Sequence, residues 1–192
     1  MDHTVHLADL VGELVDAAPI EVYAQANRIL HDAADVEAAA NILVTYEDGL
    51  VVTIDCSWDE PATYPTWGGL TLAVHGSDGS AKFDAFNQRI SVHDVSAGRL
   101  AWSDCGPDLD ALMLDEFLAS IRLHRPPQPS GSVGLRTLAV VEAAYTSLAT
   151  GQPAAVHGWQ AKTSEPHRVS ADVCVLEYCP THGGRASRTR GV

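Results

Sequence analysis

Apolar residues near the start of the chain fall three and four apart: Val5, Leu7, Leu10, Val11, Leu14 and Val15. That spacing matches an α-helix with one face on a core, and it predicts an amphipathic helix from His3 to Ala17 with Asp2 as its N-cap. Pro19 breaks the pattern. From Ile20 to Ala26 the period changes to two, with Ile20, Val22 and Ala24 set against Glu21, Tyr23 and Gln25, as in a half-buried strand. Residues 27 to 35 read as a connection. Two strand-like runs follow, Val36 to Tyr46 and Leu50 to Trp58, joined by Glu47-Asp48-Gly49, and Asp-Gly is a strong hairpin signal. Leu70 to His75 and Ser80 to Asp84 flank a second tight turn, Gly76-Ser77-Asp78-Gly79. Arg89 to Val95 and Arg99 to Ser103 form a third pair around Ser96-Ala97-Gly98, so the middle of the chain reads as an antiparallel meander.

Helical spacing returns after Asp108, which caps a predicted helix from Leu109 to His124 with Leu112, Phe117, Leu118 and Ile121 among its apolar positions. Pro126-Pro127 stops it, and a Pro/Ser/Gly linker leads to a further helix, 134 to 150, that ends at Gly151. Pro153 to Val156 fits a short edge strand. The order of helix, five or six mainly antiparallel strands and two helices is the α+β plan, a predominantly antiparallel open-faced sheet with helices packed on one face. The domain is expected to span residues 1–156. From Ala161 onward five Lys/Arg stand against three Asp/Glu with little periodicity, so residues 157–192 are expected to form a disordered tail.

Composition narrows the partners. The 192 residues are 46% hydrophobic, enough for one core of ordinary size, and the formal net charge of -13 argues against nucleic acid or an anionic membrane. No apolar run approaches the ~18 residues that span a bilayer, and the start of the chain lacks the basic-then-apolar plan of a signal peptide, so a cytoplasmic location is expected. Cysteines at 56, 105, 174 and 179 include no CxxC pair and are expected to be free thiols.

Candidate chemistry sits in the first helix. Asp2 and His6, four apart, share a face and place a carboxylate beside an imidazole whose unperturbed pKa of ~6.5 suits proton transfer near neutral pH. The plainer alternative is that Asp2 only caps the helix and His6 is an ordinary surface or core residue. A third reading joins His3 and His6 with Asp2 or Asp9 as metal ligands, and Cys174, Cys179 and His182 offer a soft-metal set in the tail. Neither set is complete, and no metal is expected. Tyr64 and Trp67, in the loop from Asp59 to Gly69, can line a ligand pocket, plug the end of the sheet or meet a second subunit.

Four motifs in order carry a resemblance: Asp2-x-x-x-His6-x-x-Asp9, Val44-Thr45-Tyr46-x-Asp48-Gly49, Val74-His75-Gly76-Ser77-Asp78-Gly79-Ser80, and Leu135-Arg136-x-Leu138-x-Val140-Val141-Glu142-Ala143-Ala144-Tyr145-x-Ser147. Together they resemble the C-terminal domain of the Gfo/Idh/MocA family of NAD(P)-dependent oxidoreductases. The resemblance implies hydride transfer between NAD or NADP and a sugar, inositol or related polyol. It places His6 on the catalytic acid/base and Asp2 on the carboxylate beside it; Asp9, Tyr64 and Trp67 are the candidates for substrate binding. It also implies a homo-oligomer through the sheet face. The chain departs from the pattern in three ways. Thr4 stands where many members have glycine, residues 157–192 have no counterpart, and the Rossmann half with its G-x-G-x-x-G turn is missing from the sequence. No cofactor-binding residue is therefore expected here, and activity is expected only with a nucleotide-binding domain supplied by another chain or lost from this sequence. The alternative is a non-catalytic oligomerisation or ligand-binding module.

Overall fold

A computed structural model describes residues 3–29, 36–57, 69–77, 79–84, 89–94, 98–104, 106–159 and 173–178. In chain order the elements are α1 (Thr4–Leu14), β1 (Pro19–Asn27), β2 (Ala39–Tyr46), β3 (Val51–Asp55), β4 (Leu70–Gly76), β5 (Gly79–Asp84), β6 (Arg89–Asp94), β7 (Arg99–Asp104), α2 (Leu109–Arg122), α3 (Gly131–Thr150), β8 (Ala154–Ala155) and β9 (Val173–Tyr178). Seven strands form one sheet in the order β5-β4-β9-β3-β2-β1-β8, and β6 and β7 pair separately. Every pairing is antiparallel except β3 with β9. This is the expected α+β plan.

Alternation decides which side of the sheet meets the helices. Val22, Val44 and Val52 lie side by side across β1, β2 and β3, as do Ala24, Ile42 and Ile54, and all six are buried. Leu7 and Val11 of α1 and Val140, Ala143 and Ala144 of α3 join them in one core. The β2–β3 hairpin closes as its Asp-Gly signal requires. Gly49 adopts φ +92°, a left-handed conformation that costs glycine little, and its N–H donates to the Tyr46 carbonyl at 3.1 Å.

Several expectations are corrected. The first helix starts at Thr4 with His3 at its N-cap and no side-chain capping bond, and Asp2 lies outside the described residues. It ends at Leu14, because Val15 is already extended toward β1. Pro19 opens β1 rather than preceding it, and a register shift between Pro19 and Glu21 turns Ile20 outward, 48% exposed. Asp108 caps α2 as expected, accepting from Ala111 N–H at 3.0 Å. The apolar side of α2 does not cover the sheet, however. Leu112, Met113, Phe117 and Ile121 are all more than half exposed, and α1 and α3 supply the cover instead.

Beyond residue 156, Val173–Tyr178 forms β9 between β3 and β4, and Trp159 packs against the core. The run Val-Cys-Val-Leu-Glu-Tyr has strong β propensity, which averaging over the polar residues around it conceals.

The burial pattern separates two isoleucine positions of the same sheet by energy. Ile54→Ala, at a site 1% exposed, is expected to cost about 2–5 kcal/mol. Ile20→Ala, on the turned-out residue, is expected to stay within about 1 kcal/mol. Urea titration followed by circular dichroism measures both, and equal losses would contradict the register shift.

Candidate active site

The inner face of α1 is fixed before its outer face can do any chemistry. Thr4, Leu7, Ala8, Val11 and Gly12 are buried. The Thr4 hydroxyl donates to Cys56 Sγ at 3.3 Å, and that thiol donates to the Ala40 carbonyl at 3.5 Å. A threonine at this position thus ties the first turn of the helix to the ends of β2 and β3. Burial pushes the Cys56 thiol above its ordinary range, so it stays a neutral donor.

His6 and Asp9 remain on the outer side, one turn apart, with His6 exposed and Asp9 partly so. Together with Val5 they form one wall of a pocket of about 380 Å³. The opposite wall is Pro129, Ser130, Val133, Gly134, Thr137 and Leu138, from the turn before α3 and its first two turns. The His3 ring stacks on that of His6, with centroids 5.9 Å apart and planes 28° from parallel.

Two ion pairs flank these walls. Arg136, buried on α3, reaches Glu13 of α1 at 3.4 Å and lies 5.7 Å from the Trp159 ring centre, while the Trp159 ring abuts Gly12. At the other wall Arg125 holds both oxygens of Glu116 at 2.6 Å, and Glu116 accepts from Gln128 N–H at 3.0 Å. The second clamp shapes the turn that ends at Pro129 and Ser130. The Arg125 guanidinium holds the Glu116 carboxyl down at about 2.

Of the sequence-predicted site residues, the pocket gathers His6 and Asp9. Asp2, Tyr64 and Trp67 lie outside the described residues. Among the described residues no group of three or more His, Cys, Asp and Glu is placed to hold a metal ion. Ser130 and Thr137 were not singled out from sequence. The Pro-Ser-Gly linker that places them reads as a connection, and only the α1–α3 crossing shows that it faces His6. Thr137 donates to the Gly134 carbonyl at 2.9 Å, and the Ser130 and Ser132 hydroxyls share a bond of 2.8 Å. A hydroxylated ligand here would meet an imidazole, a carboxylate and a serine hydroxyl.

Comparison with known proteins adds the family. The model for the GFO/IDH/MocA C-terminal domain matches residues 1–82. That region is similar to the GFO/IDH/MocA C-terminal domain. The match includes the α1 wall of the pocket and the strands beneath it. D-apiose dehydrogenase of Paraburkholderia graminis is 27% identical over 163 residues, covering 79% of this chain and 43% of that protein. GenD2 from gentamicin A biosynthesis, solved in complex with NAD, is 20% identical with a TM-score of 0.66, over 82% of this chain and 47% of that one. Myo-inositol 2-dehydrogenase from Lactobacillus plantarum is 17% identical with a TM-score of 0.62, over 80% and 47%. The two structural likenesses carry the fold. This chain spans under half the length of each of the three.

The Glu116 clamp has a testable pH signature. Its carboxyl is depressed in the fold, so the order it lends to the 123–130 turn is present above the ordinary carboxylate pKa of ~4.3 and is lost as pH falls through about 2. An NMR titration should place the Glu116 midpoint near 2, and Arg125→Ala should return it to the ordinary range.

Proposed function

We propose that this domain is the substrate-binding half of an NAD(P)-dependent oxidoreductase that acts on a CH–OH group of a sugar, inositol or related polyol. The observation that carries this reading is the presence of His6 and Asp9 on one wall of a pocket of ligand size, in a chain whose first 82 residues match the GFO/IDH/MocA C-terminal domain. Oxidation of a secondary alcohol releases a proton from oxygen and a hydride from carbon. The residues of this chain serve the proton. The exposed His6 imidazole takes it from the substrate hydroxyl and returns it in the reverse direction. Asp2, the carboxylate preceding the helix, favours the imidazolium that results, and Asp9 accepts a hydrogen bond from a neighbouring hydroxyl. Tyr64 and Trp67, from the β3–β4 connection, offer flat apolar area to the carbon face of a sugar ring.

Bound NAD(P) supplies the hydride acceptor. Its pyrophosphate is ordinarily taken by a glycine-rich turn entering a helix, and this sequence contains no G-x-G-x-x-G, so the residues present do not fit the dinucleotide. Turnover therefore requires a nucleotide-binding domain joined to this chain or supplied by another. The described residues include no helix long and apolar enough to cross a membrane.

The protein with a nucleotide-binding domain restored is the proper sample for testing His6. His6→Ala should lower kcat by about 10²- to 10⁴-fold. Asp2→Asn, which keeps the shape and loses the charge, should lower the kinetic pKa along with the rate. His3→Ala should leave kcat near normal. Near-normal kcat in His6→Ala with activity abolished in His3→Ala would overturn the acid/base assignment.

The outer face of the sheet supports self-association. Leu43 is 40% exposed there, with Tyr23 and Thr53 level with it on either side. Such a row of mixed apolar and polar side chains on an uncovered sheet suits a second copy. Light scattering at tens of micromolar should report an oligomer, and Leu43→Glu should shift it toward monomer without lowering the helical signal.

A further inference from the structure

The sheet contains a strand that its neighbours do not need. In an antiparallel ladder, bonded and non-bonded pairs alternate. Tyr46 N–H donates to the Leu50 carbonyl at 2.9 Å, so Val44–Val52 and Ile42–Ile54 are the bonded pairs of β2 with β3. Val51, Thr53 and Asp55 accordingly point their N–H and C=O groups the other way, toward β9. On the far side, β4 and β5 close on Gly76 and Gly79 across a two-residue turn, which makes that a bonded pair. Leu72 and Val74 then bond β5, leaving Thr71, Ala73 and His75 to face β9.

These two outward sets are level with each other through β9. Val51, Val173 and His75 share one row, Thr53, Val175 and Ala73 the next, and Asp55, Glu177 and Thr71 the third. Because β3 runs parallel to β9 and β9 antiparallel to β4, β3 and β4 are antiparallel to each other. With β9 withdrawn they can pair directly as Val51–His75, Thr53–Ala73 and Asp55–Thr71. No register slip is needed, and Val52, Val74, Ile54 and Leu72 stay on the helix side.

A second observation concerns cover. Along the row Ala24, Ile42, Ile54 and Leu72 burial is nearly complete, yet the next residue, Phe83 on β5, is 52% exposed. The seven-stranded sheet is wider than its helices. Removing one strand moves β4 and β5 inward by about 4.8 Å, which brings Phe83 and the half-buried Val74 toward the cover of α1. We propose that β9 is a removable strand, and that the sheet has two closed states, one with β9 between β3 and β4 and one with β3 paired directly to β4. The exchange leaves the α1–α3 contact untouched, because the chain is pinned ahead of β9 by Trp159 against Gly12 and Arg136. It changes the separation of the ends of the β3–β4 connection from two strand spacings to one.

Disulfide trapping in the full chain, with Cys105→Ser and Cys179→Ser, tests this. Val74→Cys faces the native Cys174 in a non-bonded pair and captures the state with β9 in place. Val52→Cys with Val74→Cys and Cys174→Ser captures the direct pairing. Both disulfides are expected to form in most chains on mild oxidation of native protein, and both oxidised proteins should melt cooperatively. Oxidation of the first variant alone, of the second alone, or of neither would overturn the proposal. Where the second variant does not fold, hydrogen exchange on the unmodified chain decides. The Cys174 and Leu176 amides should exchange at least ~10-fold faster than those of Val51 and Thr53. Equal rates would overturn it.

Discussion

The anchoring of α1 on the sheet is the constraint from which the rest of the structure follows. An eleven-residue helix is marginal in water by itself, and this one has no side-chain N-cap. Its order comes from burying Leu7 and Val11 against β1–β3 and α3, each contributing about 1.5–3 kcal/mol, and from the Thr4 hydroxyl resting on Cys56. Because the inner face of α1 is fully committed, its outer face is held still. His6 and Asp9 therefore present to the pocket from a rigid support, which the proton transfer proposed for His6 needs if its distance to a ligand is to be reproducible. The same logic explains Ser147 of α3, whose hydroxyl accepts from Ala24 N–H at 3.0 Å inside the core and fixes α3 to β1.

Much of this was legible in the sequence, for local reasons. The 47–49 turn, the Asp108 cap and the glycine stop at residue 151 are short-range devices whose chemistry sits within five residues of the effect. Their positions were read correctly. The expectations that the fold overturns depend on something non-local. Alternation alone puts Ile20 inside with Val22, and only the irregular pairing at Pro19 turns it out. The amphipathic stripe of α2 looks like a core face, yet nothing in its own sequence states whether the sheet is near enough to cover it. Val173–Tyr178 was hidden for a different reason, since a six-residue strand in polar surroundings vanishes when composition is averaged over the whole segment.

The candidate site divides the same way. His6 and Asp9 were visible because helical spacing puts them on one side of α1. Their opposite wall was not, because Pro129, Ser130 and Thr137 lie more than 120 positions away in sequence, a separation that no spacing rule addresses. Arg136 belongs with them. Read as a helix residue it is an ordinary solvated cation, but in the fold it is buried, paired with Glu13 and set beside Trp159, and so it links the two helices that carry the walls.

Rigidity is distributed unevenly across the sheet, and the unevenness follows the cover. On β1, β2 and β3 every inward residue of the central rows is sealed by α1 and α3, so these strands cannot move without opening the core. β4 still buries Leu72 in the core, whereas β5 lies beyond the helices and is held chiefly by backbone pairing, which is indifferent to side-chain fit. A protein built this way keeps His6 and Asp9 on a helix seated over the sealed strands, while its open edge lies next to the connection that leads from β3 to β4. Under the strand exchange proposed above, that edge differs in width without disturbing the seat of α1.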